Sequence, residues 1–333
     1  MINQGAYQMK NNQFLKQTIV YAVALSGVFL MTGWALAQAT WPSKPVTMVV
    51  PFAPGGAGNG SLRILSEIMS PQLGQPILVD NRPGAGGITG SSTVTSSNDD
   101  HLFLMGSTSM TILPSLRSDI PYDIQRDLRP VGMISSQPMA LVVAANSPLR
   151  TLDDLISQGK AGNLSAGNSG VGTLSHLATE LMNHKLQTKI LAVPYKGDSV
   201  LLPDVASGNI SMGVVNLPVA LPLIQGGRLR ALAVTSSQPV SSLPGVPVLR
   251  TLGEEFVITG WAALFAAKNV PPAEVERVSL LLRQALAQPA TKEKFANFGV
   301  TPEVTTSAQL RTFIQNETRR WAEVVSSRGI KLE

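Results

Sequence analysis

The sequence predicts an α/β protein built as two lobes, each with a doubly wound parallel sheet. Short apolar runs such as Val46–Val50 and Leu102–Met105 alternate with segments whose apolar residues recur at helical spacing. Glycine-rich loops follow several of these runs, as is typical where a strand passes into a helix. Two further apolar runs, near residues 142 and 258, can carry the chain between the lobes. We therefore expect a hinge made of two segments.

The two crossings divide the chain into a first lobe of residues 40–142 plus 258–333 and a second lobe of residues 143–257. Leu141–Ala144 is predicted to be a strand leaving the first lobe, and Thr151 followed by Asp153 and Asp154 is a typical helix start. Open α/β sheets bind ligands outside the carboxyl ends of their strands. The loops that follow the strands of both lobes are therefore expected to face one cleft.

Residues 1–39 have the features of a secretory signal peptide. Lys10 and Lys16 are the only charged residues in this segment, an apolar run extends from Ile19 to Leu36, and Ala37–Ala39 offers a small-x-small cleavage site. An uncleaved membrane anchor is the alternative, because roughly 18 apolar residues can just span a bilayer. Cleavage after Ala39 leaves 294 residues with a net charge of +3. We expect this mature chain in the periplasm.

The composition argues against catalysis and against several kinds of site. The chain has no cysteine and only three histidines, none of which form a pair with the spacing of a helical metal site. We therefore expect no metal, no cofactor and, since no Gly-x-Ser-x-Gly elbow occurs, no enzyme. Lysine and arginine are spread without a basic stripe, so no nucleic-acid partner is expected. The protein is expected to be a monomer.

The loop of residues 51–60 is the first candidate site. Glycines let the backbone approach a ligand closely, and a helix is predicted directly afterwards, so its free N–H groups and positive dipole end would face the loop. Asn59 or Ser61 is expected to cap that helix. A tight turn without a ligand is the alternative. The loop is not a phosphate loop, because it lacks the Gly-Lys-Ser/Thr ending.

The loop of residues 166–173 is the corresponding candidate in the second lobe, where hydroxyl and backbone N–H groups can donate to a carboxylate. His176 directly follows Ser175, which is the wrong relation for a nucleophile and its base. Arg82 either clamps a carboxylate or forms an ion pair, whereas Asp198 suits a ligand amine or hydroxyl better than an anion. The candidate ligand-binding residues are Phe52, Ala53, Gly55, Gly56, Asn59, Ser107, Thr108, Ser169, Gly172, Thr173, Tyr195, Asp198 and Asn216.

An ordered series of motifs over essentially the whole mature chain resembles the receptors of tripartite tricarboxylate transporters, also called Bug proteins. Any one motif is weak, but the series is specific. The motifs are Trp41-Pro42-x-Lys44-Pro45, Pro51–Gly56, Asn81–Gly87, Gly170-x-Gly172-Thr173-x-x-His176-Leu177-Ala178, Val193–Gly197, Asn216–Pro218, Arg228–Thr235 and Leu243–Pro247.

The resemblance implies a type II-like periplasmic binding protein fold that closes like a Venus flytrap over a small carboxylate. It implies an extracytoplasmic solute receptor that delivers its ligand to a tripartite tricarboxylate-type transporter; the alternative is a loaded receptor that signals to a membrane sensor kinase. The sequence departs from the family at two places. Gly58-Asn59 stands where Thr-Asp is usual, and Asp198 stands where a small residue is usual, so the ligand preference is expected to differ.

Overall fold

The computed structural model describes residues 41–240 and 242–328. The predicted signal peptide, residues 1–39, lies outside the described residues. All elements below belong to the compact unit that begins at Lys44. Among the described helices, none is both long enough and apolar enough to cross a membrane.

Strands and helices alternate along most of the chain, which confirms the predicted α/β class. The strands are β1 (Val46–Val50), β2 (Ile77–Asn81), β3 (Leu102–Ser107), β4 (Leu128–Ala144), β5 (Ser165–Asn168), β6 (Leu191–Pro194), β7 (Met212–Asn216), β8 (Leu229–Val234), β9 (Thr259–Ala267) and β10 (Thr301–Pro302). The helices are α1 (Ala57–Leu73), α2 (Ile88–Thr95), α3 (Ser109–Leu116), α4 (Ile124–Asp127), α5 (Leu152–Ala161), α6 (Leu174–Leu186), α7 (Asp198–Ser207), α8 (Leu217–Gln225), α9 (Pro272–Ala287), α10 (Pro289–Asn297) and α11 (Ser307–Arg328).

The strands follow the order β2-β1-β3-β9-β4-β7-β5-β6, with β8 and β10 also paired to β4. At one end β1 lies parallel between β2 and β3, and at the other β5 lies parallel between β6 and β7. Strand β9 is antiparallel to both β3 and β4. Parallel neighbours need crossover connections, which helices provide here, so the carboxyl ends of these strands open into strand-to-helix loops.

Strand β4 connects the two ends of the sheet. It pairs with β9 as far as Pro138, and from Met139 onward it pairs with β7 and β8 instead. We call the strands on the β9 side the first half and those on the β7 side the second half. The change of partners lies close to the predicted crossing near residue 142, and the return at β9 starts beside the predicted crossing near 258. The residue boundaries of the two lobes remain a prediction.

The C-terminal helix α11 shares a hydrophobic cluster with the second half. Trp321 and Val325 of this helix belong to the same buried cluster as Leu155 of α5 and Leu181 of α6. The helix therefore packs the end of the chain against helices that follow β4 in the sequence.

Local capping explains where several helices begin. Helix α5 starts in a capping box: the Thr151 hydroxyl accepts a hydrogen bond from the Asp154 N–H, and the Asp154 carboxylate accepts from the Thr151 N–H. The predicted helix start at Thr151 is thus confirmed. The expected cap of α1 is wrong, because its N-cap position is Gly56, with no side-chain hydrogen bond. Asn59 lies inside the helix and bonds elsewhere.

Candidate ligand-binding site

One cavity lies where the strand ends of both halves meet. The space available to the centres of water molecules is about 70 Å³; one water needs roughly 10–15 Å³ on that measure, so several waters or one small organic molecule can fit. Residues from the ends of β1, β3, β5 and β7, and from the pairing of β4 with β9, line it. This is the place at which open α/β sheets bind their ligands.

Five helices start at this cavity. The N-cap residues of α1, α3, α6, α7 and α8 all line it, and they are Gly56, Thr108, Thr173, Gly197 and Asn216. A helix start carries N–H groups without intrahelical partners and the positive end of the dipole. Only α6 has a side-chain cap, from Thr173. The other four starts leave their first-turn N–H groups without a capping side chain, which favours an anion in the cavity.

A network of asparagines holds the loop before α1. The Asn81 side chain donates to the Phe52 carbonyl oxygen at 2.9 Å, and the Asn59 side chain donates to Asn81 Oδ1 at 2.9 Å. Asn59 is buried. The network fixes the backbone of the first loop against the end of β2, which places Phe52, Ala53 and Gly56 on the cavity wall.

Hydroxyl groups cluster at the start of α6. Ser175 Oγ lies 2.8 Å from Ser169 Oγ and 3.0 Å from Thr173 Oγ1, while Thr173 Oγ1 donates to the Gly170 carbonyl oxygen at 2.6 Å. All three hydroxyl residues line the cavity. The cluster fixes the loop of residues 168–173, because each hydroxyl in it already has a neighbour as partner.

Asp198 is the ionisable residue of the cavity. Its Oδ2 atom accepts hydrogen bonds from the backbone N–H of Asn216 at 3.0 Å and from Asn216 Nδ2 at 2.6 Å. Its Oδ1 atom is buried and has no hydrogen-bond partner. Burial raises the pKa of Asp198 to about 6, against the opposing effect of the hydrogen bonds from Asn216 and of the nearby Ser169 hydroxyl.

The two halves touch next to the cavity. The Ala53 N–H donates to the Lys196 carbonyl oxygen at 3.2 Å, and Ser199 Oγ donates to the Pro54 carbonyl oxygen at 2.7 Å. At a second place Gly86 packs so closely on the Val171 carbonyl oxygen that a Cβ at Gly86 would overlap it. These contacts join the loops of the two halves next to the cavity.

Ten of the thirteen predicted residues line the cavity, and three do not. The Tyr195 hydroxyl donates to Asp204 Oδ2 at 2.7 Å, and that bond and burial raise the Tyr195 pKa to about 12. The Gly172 N–H donates to His176 Nδ1 at 3.3 Å, and Gly55 lies against Ser199. The ten residues are Phe52, Ala53, Gly56, Asn59, Ser107, Thr108, Ser169, Thr173, Asp198 and Asn216.

Two residues considered in other roles have ordinary structural contacts. Arg82 Nε lies 2.7 Å from Asp80 Oδ2, so Arg82 forms the ion pair that was one of its two predicted alternatives. His176 does not line the cavity, and burial lowers its pKa. A cluster of Asp99, Asp100 and His101 brings three possible metal ligands together, but it lies outside the cavity and Asp99 pairs with Lys44 at 3.0 Å.

Sequence reasoning missed Gln137, Ser175 and the backbone around Trp261 as parts of the cavity wall. Gln137 Nε2 donates to Asn216 Oδ1 at 3.3 Å and so extends the network of Asp198 to the middle of β4. A buried polar residue within the long strand is a signal that could have singled out Gln137. Thr108 Oγ1 accepts from the Trp261 N–H at 3.2 Å, a contact between distant segments that no local pattern indicates.

Comparisons with known proteins agree with this geometry. The chain is 37% identical over 320 residues to Protein BugT of Bordetella pertussis, covering 93% of this chain and 98% of the relative. The structure of the periplasmic binding protein BugD superposes with a TM-score of 0.83 at 28% identity, covering 88% of this chain and all of BugD. Rpa4515 of R. palustris, solved with adipate, superposes with a TM-score of 0.83 at 29% identity, covering 87% and 99% of the two chains.

These similarities span nearly the whole length of each related protein. They therefore concern the complete two-lobed periplasmic binding fold and not a single shared segment. Residues 61–330 also match the model of the Tripartite tricarboxylate transporter family receptor. The matched range includes most of the residues that line the cavity and every strand of the sheet except β1. The chain therefore belongs to the family of tripartite tricarboxylate transporter receptors, which are periplasmic solute-binding proteins.

Proposed function

We propose that this protein is a periplasmic solute receptor that closes over a small organic carboxylate and delivers it to a tripartite tricarboxylate-type transporter. The observation that carries the proposal is the convergence of five helix starts on one cavity, four of them without a capping side chain. Backbone N–H groups at helix starts bind carboxylates without any basic side chain. The adipate in the related Rpa4515 supports the same class of ligand.

The proposal includes a binding role without catalysis. The hydroxyl groups of Ser169, Thr173 and Ser175 bond to one another, and among the described residues that line the cavity there is no histidine, lysine or cysteine to act as a base or nucleophile. Export through a signal peptide of residues 1–39 is part of the proposal. Mass spectrometry of the N-terminus of protein taken from the periplasm tests it, and a chain starting at Thr40 is the expected result.

A thermal-shift screen followed by calorimetry tests the carboxylate. Succinate, adipate, malate, citrate, glutarate, glutamate and aspartate serve as probes, with glucose as the uncharged control. We expect at least one acid to raise the melting temperature and glucose to leave it unchanged. If the folded protein, freed of any co-purified ligand, binds none of the acids, the proposed function is wrong.

A substitution at the first helix start tests the role of the backbone. Ala57 is the first residue of α1 and follows Gly56, whose φ of −73° and ψ of 166° suit the residue before a proline. Ala57→Pro removes one N–H while keeping the helix, because proline is well tolerated at this position. We expect weaker binding of the acid in Ala57→Pro than in Ala57→Gly, which keeps the N–H. Equal affinities would show that this helix start does not hold the ligand.

A further inference from the structure

Asp198 places a carboxylate inside a cavity whose described lining residues carry no counter-charge. The side chain is only 4% exposed, and no lysine, arginine or histidine is among the described residues that line the cavity. Both hydrogen bonds from Asn216 go to one oxygen, Oδ2. The other oxygen, Oδ1, is buried without a partner. An ionised carboxylate left in this condition is costly, because it has given up water without gaining an opposite charge.

A ligand group can supply what Oδ1 lacks. A ligand with only carboxylates would bring more negative charge towards Asp198, and one of the two groups would then have to take up a proton. A hydroxyl group would satisfy Oδ1 but would leave the charge of Asp198 unbalanced. An ammonium group both donates a hydrogen bond and balances the charge, and such charge-assisted bonds are roughly twice as strong as neutral ones.

The cavity also contains the complementary half of such a ligand. Helices α1, α3 and α6 start at its wall, and α1 and α3 have no capping side chain there. Their N–H groups favour a carboxylate. The cavity therefore combines a surface suited to an anion with one buried, unpaired acceptor suited to a cation.

We propose that the receptor selects a small carboxylic acid that also carries a protonated amine, with the ammonium group donating to Asp198 Oδ1 and the carboxylate facing the helix starts. This inference rests on the proposed function, since it specifies which carboxylates the same cavity takes. Asp198 is then the residue that determines specificity.

Pairs of acids that share a carbon skeleton test the inference by calorimetry at pH 7.5. L-Aspartate is compared with succinate, L-glutamate with glutarate, and 4-aminobutyrate with butyrate. We expect the amine-bearing member of at least one pair to bind about tenfold or more tightly than its partner, as a charge-assisted hydrogen bond at a buried site provides. Malate is included to measure the effect of a hydroxyl group in place of the amine.

Asp198→Asn tests the assignment to this side chain. The amide oxygen can accept both bonds from Asn216, and the amide NH₂ then replaces Oδ1 as a donor towards the ligand. We expect the preference for the amine to be lost or reversed in Asp198→Asn. The matched control is Asp153→Asn, which removes an exposed aspartate from the first turn of α5, away from the cavity. It should keep the wild-type preference.

The outcomes separate this inference from the proposed function. If in every pair the acid without the amine binds the wild type as tightly as its amine-bearing partner, the inference is wrong and the carboxylate receptor stands. An unchanged preference for the amine in Asp198→Asn also overturns it. If no acid of either kind binds, the proposed function itself fails.

Discussion

Asp198→Asn should make the unliganded protein more stable at neutral and alkaline pH. Burial raises the pKa of Asp198 to about 6, from an ordinary value of 3.8. A difference of one in the pKa of a group between the folded and the unfolded protein corresponds to about 1.4 kcal/mol. The buried charge of Asp198 therefore lowers the free energy of unfolding by roughly 3 kcal/mol once the group is ionised in both states. The hydrogen bonds from Asn216 are already included in this shift, so about 3 kcal/mol is the net cost that Asp198→Asn removes.

The sign of the pH dependence follows from the same shift. Between pH 4 and pH 6 the folded wild type holds a proton on Asp198 that the unfolded chain has released. The free energy of unfolding of the wild type therefore falls as the pH rises through this window, and above about pH 7 the effect of Asp198 is constant. Asparagine does not titrate, so the advantage of the variant should be small near pH 4 and should grow to about 3 kcal/mol at pH 8.

Urea denaturation of the wild type and Asp198→Asn at several pH values between 4 and 8 measures this difference. Taking the difference between the two proteins removes the effect of other titrating groups, such as His176, whose pKa is lowered by burial. Asp153→Asn is again the control, because it also removes one negative charge, but from an exposed site. A difference between wild type and Asp198→Asn that stays constant from pH 4 to pH 8 would refute the reasoning.

Three further predictions concern residues in and around the cavity. Gly86→Ala should weaken ligand binding by about 10- to 100-fold. The added methyl group would overpack against Val171, where the two halves touch, at a cost of roughly 1–3 kcal/mol. The control is Gly74→Ala, which is also at positive φ but has open space around it and should keep the affinity. Thr173→Ala should lower the free energy of unfolding by about 1 kcal/mol and also weaken binding, whereas Thr151→Ala should lower only the stability. Tyr195→Phe should leave the affinity unchanged, because its hydroxyl bonds to an aspartate outside the cavity.

Calorimetric titration with an acid found in the screen and urea denaturation check all three. Equal affinity losses in Gly86→Ala and Gly74→Ala would mean that backbone strain, and not closure, is responsible. A loss of affinity in Thr151→Ala as large as in Thr173→Ala would show that global stability controls binding. Weaker binding in Tyr195→Phe would restore Tyr195 as a ligand-binding residue.

Much of the architecture could be predicted because local chemistry determines it. The alternation of apolar runs and helical periodicity indicated the α/β class, and the loops after β1, β5 and β7 were recognisable from their glycines and polar residues. Asp198 attracted attention because it suits a ligand amine or hydroxyl better than an anion and stands where a small residue is usual. Each of these signals lies within a few neighbouring residues, where strand, turn and helix preferences act directly.

The length of β4 could not be predicted, because its sequence contains Pro130 and Pro138. Proline cannot donate to a strand ladder, so only Leu141–Ala144 was expected as a strand. In the structure the register shifts just after Pro130, and Pro138 is the last residue paired to β9 before β4 changes partners. Both prolines thus lie at or next to places where the regular ladder is interrupted.

Contacts between distant segments explain the errors in the site. Asn59 was expected to cap α1, but the side chain of Asn81, 22 residues away along the chain, binds it instead. Tyr195 was expected in the cavity, but Asp204 on the next helix accepts a hydrogen bond from its hydroxyl group. In both cases a polar side chain had two possible partners, and only the packed structure decides between them.

The change of partners in β4 lies directly beside the charged end of the cavity. Gln137 bonds to Asn216, which bonds to Asp198, and Gln137 immediately precedes Pro138, the last residue paired to β9. Two hydrogen bonds therefore separate the buried carboxylate from the point at which the backbone leaves one half of the sheet for the other. Any rotation of the halves about this point would move the groups around Asp198 through a short arc, so the charged end of the cavity would keep its hydrogen bonds during such a movement.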